Sequence, residues 1–212
     1  MKREGRSDAS LASGAVFPAF SRRAFHRLLA ACLLTLCLGV AACARPLPLD
    51  FAAPRGGRTL ENVPFHPQED YQCGPASLAT VLNFLGDPVS PEDIAKAIFR
   101  KDLRGTVSLD LALYPRGRGF HTRFLRGTPA EVMASVDAGR PVLVMMDNGF
   151  TGVHLFHYMV VTGYDPEGVR VNSGRNQAQR ISWQDFLSGW EGSDRWTLFV
   201  EPGPAARRGE RK

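Results

Sequence analysis

Between Val63 and Val200 the apolar residues change period once, from helical spacing to short unbroken runs, and this limits the chain to a small set of folds. Leu78, Val81, Leu82 and Leu85 share one helix face, with Pro75 in the first turn and Gly86-Asp87-Pro88 as the stop. Ser90-Pro91-Glu92-Asp93 opens a second helix that carries Ile94 and Ile98. A third, weaker one follows Ser108 and fades by residues 116–119. Thr128-Pro129-Ala130-Glu131 has the form of a capping box with proline at the first helical position, ahead of Val132, Met133 and Val136. The pattern then switches. Residues 142–146, 158–164 and 168–172 read as strands, the last two joined by the turn Asp165-Pro166-Glu167-Gly168. A helix around 182–189 and a strand over 196–200 complete the unit. Helices first and strands second predict an α+β fold, its N-terminal helical part packed on a C-terminal antiparallel sheet.

The N-terminus reads as an export signal. Basic residues up to Arg27 precede an apolar run of 15 residues, 28–42. That is short for a membrane-spanning helix, which needs roughly 20, and suits a signal-peptide core. The run closes on Val40-Ala41-Ala42-Cys43, which resembles a bacterial lipobox, where the cysteine thiol takes a diacylglyceryl group and becomes the new N-terminus. The expected division is a signal peptide (1–42), an acylated Cys43 with a Pro/Gly/Ala-rich tether (43–62), a folded domain (63–200) and a disordered charged tail (201–212). A lipid on Cys43 would make the membrane a partner and hold the chain in the cell envelope. Ala44, rather than Asp, points to the periplasmic face of the outer membrane. Ser21-Arg22-Arg23-Ala24-Phe25 resembles a twin-arginine motif, so that export route and the general secretory one both fit.

The formal charge of +5 does not argue for nucleic acid. Six basic residues before Cys43 stand against Glu4 and Asp8, which leaves +1 for the remainder. Cysteine usage is more informative. Cys32 and Cys37 leave with the signal and Cys43 is acylated, so Cys73 is the one free thiol expected in the mature chain. An unpaired thiol in an oxidising compartment is a reactive group that needs a role.

Cys73 lies in Gln68-Glu69-Asp70-Tyr71-Gln72-Cys73-Gly74-Pro75-Ala76-Ser77-Leu78, at the start of an amphipathic helix. Free backbone N–H groups and the helix dipole favour a thiolate there, and the thiolate is the nucleophilic form. A carbonyl under attack needs donors for its developing oxyanion, which the Cys73 amide and the Gln68 side chain can supply. The base should sit on a strand, and His157 heads the run that follows it. His154, in the irregular approach Thr151-Gly152-Val153-His154, competes from the rim. His66 and His121 read as surface or structural residues, and Trp183, Phe186, Trp190 and Trp196 as core.

The Gln…Cys-Gly-Pro-Ala segment, followed by His-Tyr-x-Val-Val-x-Gly-Tyr, resembles the bacteriocin-processing cysteine peptidases. These form the N-terminal domain of certain peptide exporters and also occur as standalone or lipoprotein forms. The likeness covers residues 63–200 and includes Gly139-Arg140-Pro141-Val142 and Phe186…Trp190-Glu191-Gly192. It implies a papain-like fold and hydrolysis of a peptide or protein substrate, often after Gly-Gly, with Cys73, His157 and Gln68 at the nucleophile, base and oxyanion positions. Members usually orient the histidine with the Asp of an Asn-Asp-Pro turn. This chain has Asn172-Ser173-Gly174, so Asn172 or Ser173 takes that role. Without a charged orienter the imidazolium is less stabilised, and a slow or highly selective enzyme is expected. Two alternatives are the same dyad used for acyl transfer or other amide cleavage, and a non-catalytic peptide-binding domain. No cofactor or metal is expected, since the residues show no ligand spacing and no Gly-rich phosphate loop. Any coupling to export machinery would need a separate protein.

Overall fold

The computed structural model describes residues 26–27, 51–68, 72–150 and 152–203. Nearly all of the expected signal peptide, Cys43, the first part of the tether and the tail from residue 204 lie outside the described residues. The elements run β1 (Arg58–Thr59), α1 (Cys73–Phe84), α2 (Pro91–Ile98), β2 (Phe99–Arg100), β3 (Gly105–Thr106) and α3 (Ser108–Gly117). They continue with β4 (Phe120–Arg126), α4 (Pro129–Asp137), β5 (Val142–Asp147), β6 (Phe156–Asp165), β7 (Gly168–Ser173), β8 (Asn176–Ser182), α5 (Trp183–Gly192) and β9 (Trp196–Pro202).

Strands order as β4-β9-β5-β6-β7-β8 in one antiparallel sheet, with β1 paired to β6 beyond the end of β5. β2 and β3 form a separate hairpin. The helix starts follow from the sequence. Ser90 accepts the N–H of Asp93 ahead of Pro91, and Thr128 with Glu131 closes both arms of a capping box.

The sheet is covered on both faces. Leu143, Tyr158, Val160 and Leu198 pack with Leu78, Val81, Leu82, Ile94 and Leu111 of α1–α3. Val142, Val144, Met146, Met159 and Val161 pack with Val132 and Val136 of α4 and with Phe186 and Trp190 of α5. Strands buried on both sides read as continuous apolar runs, which is why β5 and β6 are plain in the sequence. Helix α1 is enclosed from Gly74 to Leu82 and packs along β6.

Two features differ from the sequence reading. The segment expected as a tether is in part built into the domain. Leu60 is buried, its N–H bonds Thr162 O at 2.8 Å, and the Phe51 ring lies 4.9 Å from that of Trp183. β1 also explains a glycine of the His-Tyr-x-Val-Val-x-Gly-Tyr motif. A Cβ on Gly163 would stand 2.9 Å from Arg58 O, too close for any other residue to sit there unshifted. At the other end Glu201, expected in the tail, belongs to β9 and pairs with His121 of β4.

Candidate active site

Helix α1 delivers Cys73 to the end of the sheet where β6 begins. Gln72 precedes it as N-cap and makes no side-chain capping bond, so no side chain of that residue covers the first-turn N–H groups. His157, the second residue of β6, stands opposite Met146 of β5. Cys73 and His157 line one cleft of about 710 Å³, together with Gln68, Gly174 and Thr106 of β3.

Strand alternation puts one of the two candidate orienting residues within reach of His157. His157 Nε2 shares a hydrogen bond with Ser173 Oγ at 3.0 Å. Asn172, the neighbouring candidate, is 4% exposed and occupied elsewhere: its Oδ1 accepts the N–H of Ala178 (2.9 Å) and its Nδ2 donates to Pro64 O (3.3 Å). Successive strand residues point to opposite faces, so only one of the pair can reach the imidazole, and Ser173 does. Asn172 is therefore a brace for the β7–β8 bend and not a partner of His157.

Gln68 is locked in place from three directions. Its N–H donates to Gly174 O (2.9 Å), its Oε1 accepts the N–H of Gly174 (3.0 Å), and its Nε2 donates to Ser77 Oγ (3.0 Å). Ser77 in turn donates to Tyr158 O at 3.3 Å, which ties α1 to β6 one residue past the histidine. Ser77 escaped the sequence reading. Its position one helical turn after Cys73 is the signal that could have found it.

The surroundings of Cys73 work against the thiolate as well as for it. Burial pushes the Cys73 thiol up from its ordinary value and outweighs the backbone N–H groups of Tyr158, Gly74 and Cys73 itself, which favour the thiolate. Burial likewise holds the His157 imidazole below its ordinary value. Both shifts run toward the uncharged forms, against the thiolate that the helix start favours. Tyr158, pushed up to about 12 by burial, places its hydroxyl 2.7 Å from Ser108 Oγ at the same cleft.

His154 lies apart from this arrangement. It sits on the β5–β6 connection, where its Nδ1 is 2.5 Å from Asp147 Oδ2 and its ring stacks on Phe156 at 5.6 Å. That contact with His154 and the N–H groups of Leu155 and Gly149 hold the Asp147 carboxyl down to about 2. A second concavity, of about 590 Å³, contains His66, whose Nε2 shares a hydrogen bond with Asn83 Oδ1 at 2.9 Å, and no cysteine lines it. Trp183, Phe186 and Trp190 are buried, as expected, and Trp196 packs edge-on against Tyr158. Among the described residues no group of three or more His, Cys, Asp or Glu side chains is arranged to hold a metal ion.

A family model described as Peptidase_C39 like family matches residues 60–197, which include Gln68, Cys73, His157 and Ser173. The chain belongs to that family. As a C39-like protein it is a cysteine-type peptidase, with the papain-like α+β architecture expected from the sequence. It is similar to the peptidase domain of Streptococcus ComA, described as a bi-functional ABC transporter involved in a quorum sensing pathway. The two share 26% identity at a TM-score of 0.54, over 68% of this chain and 98% of that one. A putative C39-like peptidase from Bacillus anthracis matches at 20% identity and a TM-score of 0.58, over 68% and 96%. A double glycine motif protease from an AMS/PCAT transporter, solved with its leader peptide, matches at 20% identity and 0.53, over 68% and 98%. No curated protein matches the sequence.

In this C39-like peptidase the Ser173 contact gives a graded prediction. A neutral hydrogen bond is worth about 1 kcal/mol, so Ser173→Ala should lower kcat by about five- to tenfold. Ser173→Asp should raise the His157 pKa, followed by NMR of the imidazole, because a carboxylate favours the charged ring. An unchanged kcat in the alanine variant would remove Ser173 from the site.

Proposed function

We propose that this chain is a thiol peptidase of the cell envelope that uses Cys73 and His157 as its reacting pair. The observation that carries the reading is the shared cleft lined by Cys73 and His157, in which His157 Nε2 is engaged with Ser173 and Nδ1 is the nitrogen left to take the thiol proton. As a peptide carbonyl arrives, the Cys73 S–H proton passes to Nδ1 and the sulfur bonds to the carbonyl carbon. The oxyanion is met by the Cys73 amide and by the second hydrogen of Gln68 Nε2, the first being engaged with Ser77. Collapse breaks the C–N bond, and the imidazolium returns its proton to the leaving amine. Water then attacks the thioester, with His157 taking a proton from the water and giving it to the departing sulfur.

Burial disfavours charge on both groups before substrate arrives, which supports coupling proton transfer to attack. That a double glycine motif protease of the same fold is solved with a leader peptide supports a peptide substrate, and the resemblance makes Gly-Gly peptides the first to try. The lipobox-like ending at Cys43 supports anchoring to a membrane, at the periplasmic face of the outer membrane, with any export machinery a separate partner. The test is a peptide library digested by the full chain and by its Cys73→Ala variant. Products made by the former alone support the reading, and identical digests reject it. For the anchor, radiolabelled palmitate should enter the parent protein and not Cys43→Ser. Absence of label in the parent would reject lipidation.

A further inference from the structure

Thr106 ends the short strand β3, opposite Phe99 of β2, and lines the cleft together with Cys73 and His157. Its Oγ1 is a buried side-chain polar atom without a hydrogen-bond partner, and no other such atom occurs among the described residues. The hydroxyl faces the residue after the nucleophile: a Cβ on Gly74 would stand 3.3 Å from Thr106 Cβ and 3.4 Å from Oγ1. Nearby hydroxyls are matched. Ser108 Oγ and Tyr158 Oη lie 2.7 Å apart, and Ser77 Oγ bridges Gln68 and Tyr158 O.

An unmatched buried hydroxyl is unfavourable, and folded proteins keep few of them. Valine has the same shape as threonine, suits a strand equally well and would avoid the penalty. A hydroxyl kept at this point therefore calls for a partner that arrives later. We propose that Thr106 Oγ1 hydrogen-bonds the main chain of the peptide substrate beside the scissile bond, and so positions that bond over Cys73. The inference rests on the peptidase reading above.

An extended peptide in the cleft offers both N–H and C=O groups, and a hydroxyl can serve either. Access to the buried hydroxyl requires the β2–β3 hairpin to move. That hairpin is hydrogen-bonded outside the main sheet, and Leu103 at its tip is 63% exposed. The hairpin can therefore shift without breaking any ladder of the seven-stranded sheet.

The experiment compares the full chain with Thr106→Val and Thr106→Ser, using a peptide that the parent cleaves, with a thermal midpoint for each protein. Thr106→Val should lower kcat/KM by about 10- to 100-fold while its thermal midpoint stays equal or rises. Thr106→Ser, which keeps the hydroxyl and loses the methyl, should stay within about threefold of the parent. Valine at parental kcat/KM would overturn the proposal, and so would equal losses in valine and serine, which would assign the residue to packing. A parent that cleaves no peptide would overturn the peptidase reading and this inference with it, an outcome distinct from an active parent indifferent to position 106.

Discussion

Cys73→Ala is expected to reduce peptide hydrolysis by about 10⁴-fold or more, and His157→Ala by nearly as much, with little change in thermal stability. Without the sulfur no thioester forms, and water has no activated route to the carbonyl. Without the imidazole the thiol has no acceptor for its proton, and burial makes that proton harder to lose unaided. The two losses should not add. Once either partner is gone the other does nothing, so the double variant should match the worse single one. Both residues are partly exposed at a cleft rather than packed in a core, which is why folding should survive. Steady-state cleavage of a fluorogenic peptide, with a melting curve for each variant, provides the measurement. A His157→Ala enzyme within tenfold of the parent would assign the base elsewhere.

Phe186→Ala should destabilise the fold by about 3–5 kcal/mol. The ring is fully buried between Trp183 and Trp190, with centroids at 6.2 and 5.2 Å, in the core beneath the sheet face opposite α1. Truncation leaves a cavity between two large rigid rings that cannot collapse to fill it. At roughly 2–4 °C per kcal/mol for a domain of this size, the melting point should fall by on the order of 10 °C. A loss below about 1 kcal/mol in chemical denaturation would mean that this face contributes far less than its burial implies.

The sequence announced the parts of this chain that are buried and was silent on those at the margin. β5 and β6 are covered on both faces, so each is an apolar run that no surface element would carry. β4 and β8 are the two edges of the sheet, and their residues are mostly exposed. In β4 only Phe120 is buried, and β8 reads Asn-Gln-Ala-Gln-Arg-Ile-Ser, a composition that pattern alone assigns to a loop. Sheet pairing, not hydrophobicity, makes them strands. The same divide runs through the site. Cys73 and His157 could be matched because one starts a helix and the other a strand. The choice between Asn172 and Ser173 needed a register, since adjacent residues of one strand differ only in the face they take. The state of the thiol also lay beyond the sequence. Backbone N–H groups at a helix start can be read from position, but the burial that outweighs them comes from the enclosing fold.

Strand β1 has a practical corollary for anyone who cuts this gene. The match to the family model begins at residue 60, and a fragment started there would lack Arg58, Thr59 and Phe51. The main-chain groups of Gly163 and Tyr164 would then lose their neighbour, and the indole of Trp183 would lose the phenyl ring that lies against it. Open sheet margins and bared aromatic rings make recombinant fragments clump. A fragment that keeps both contacts starts no later than Phe51.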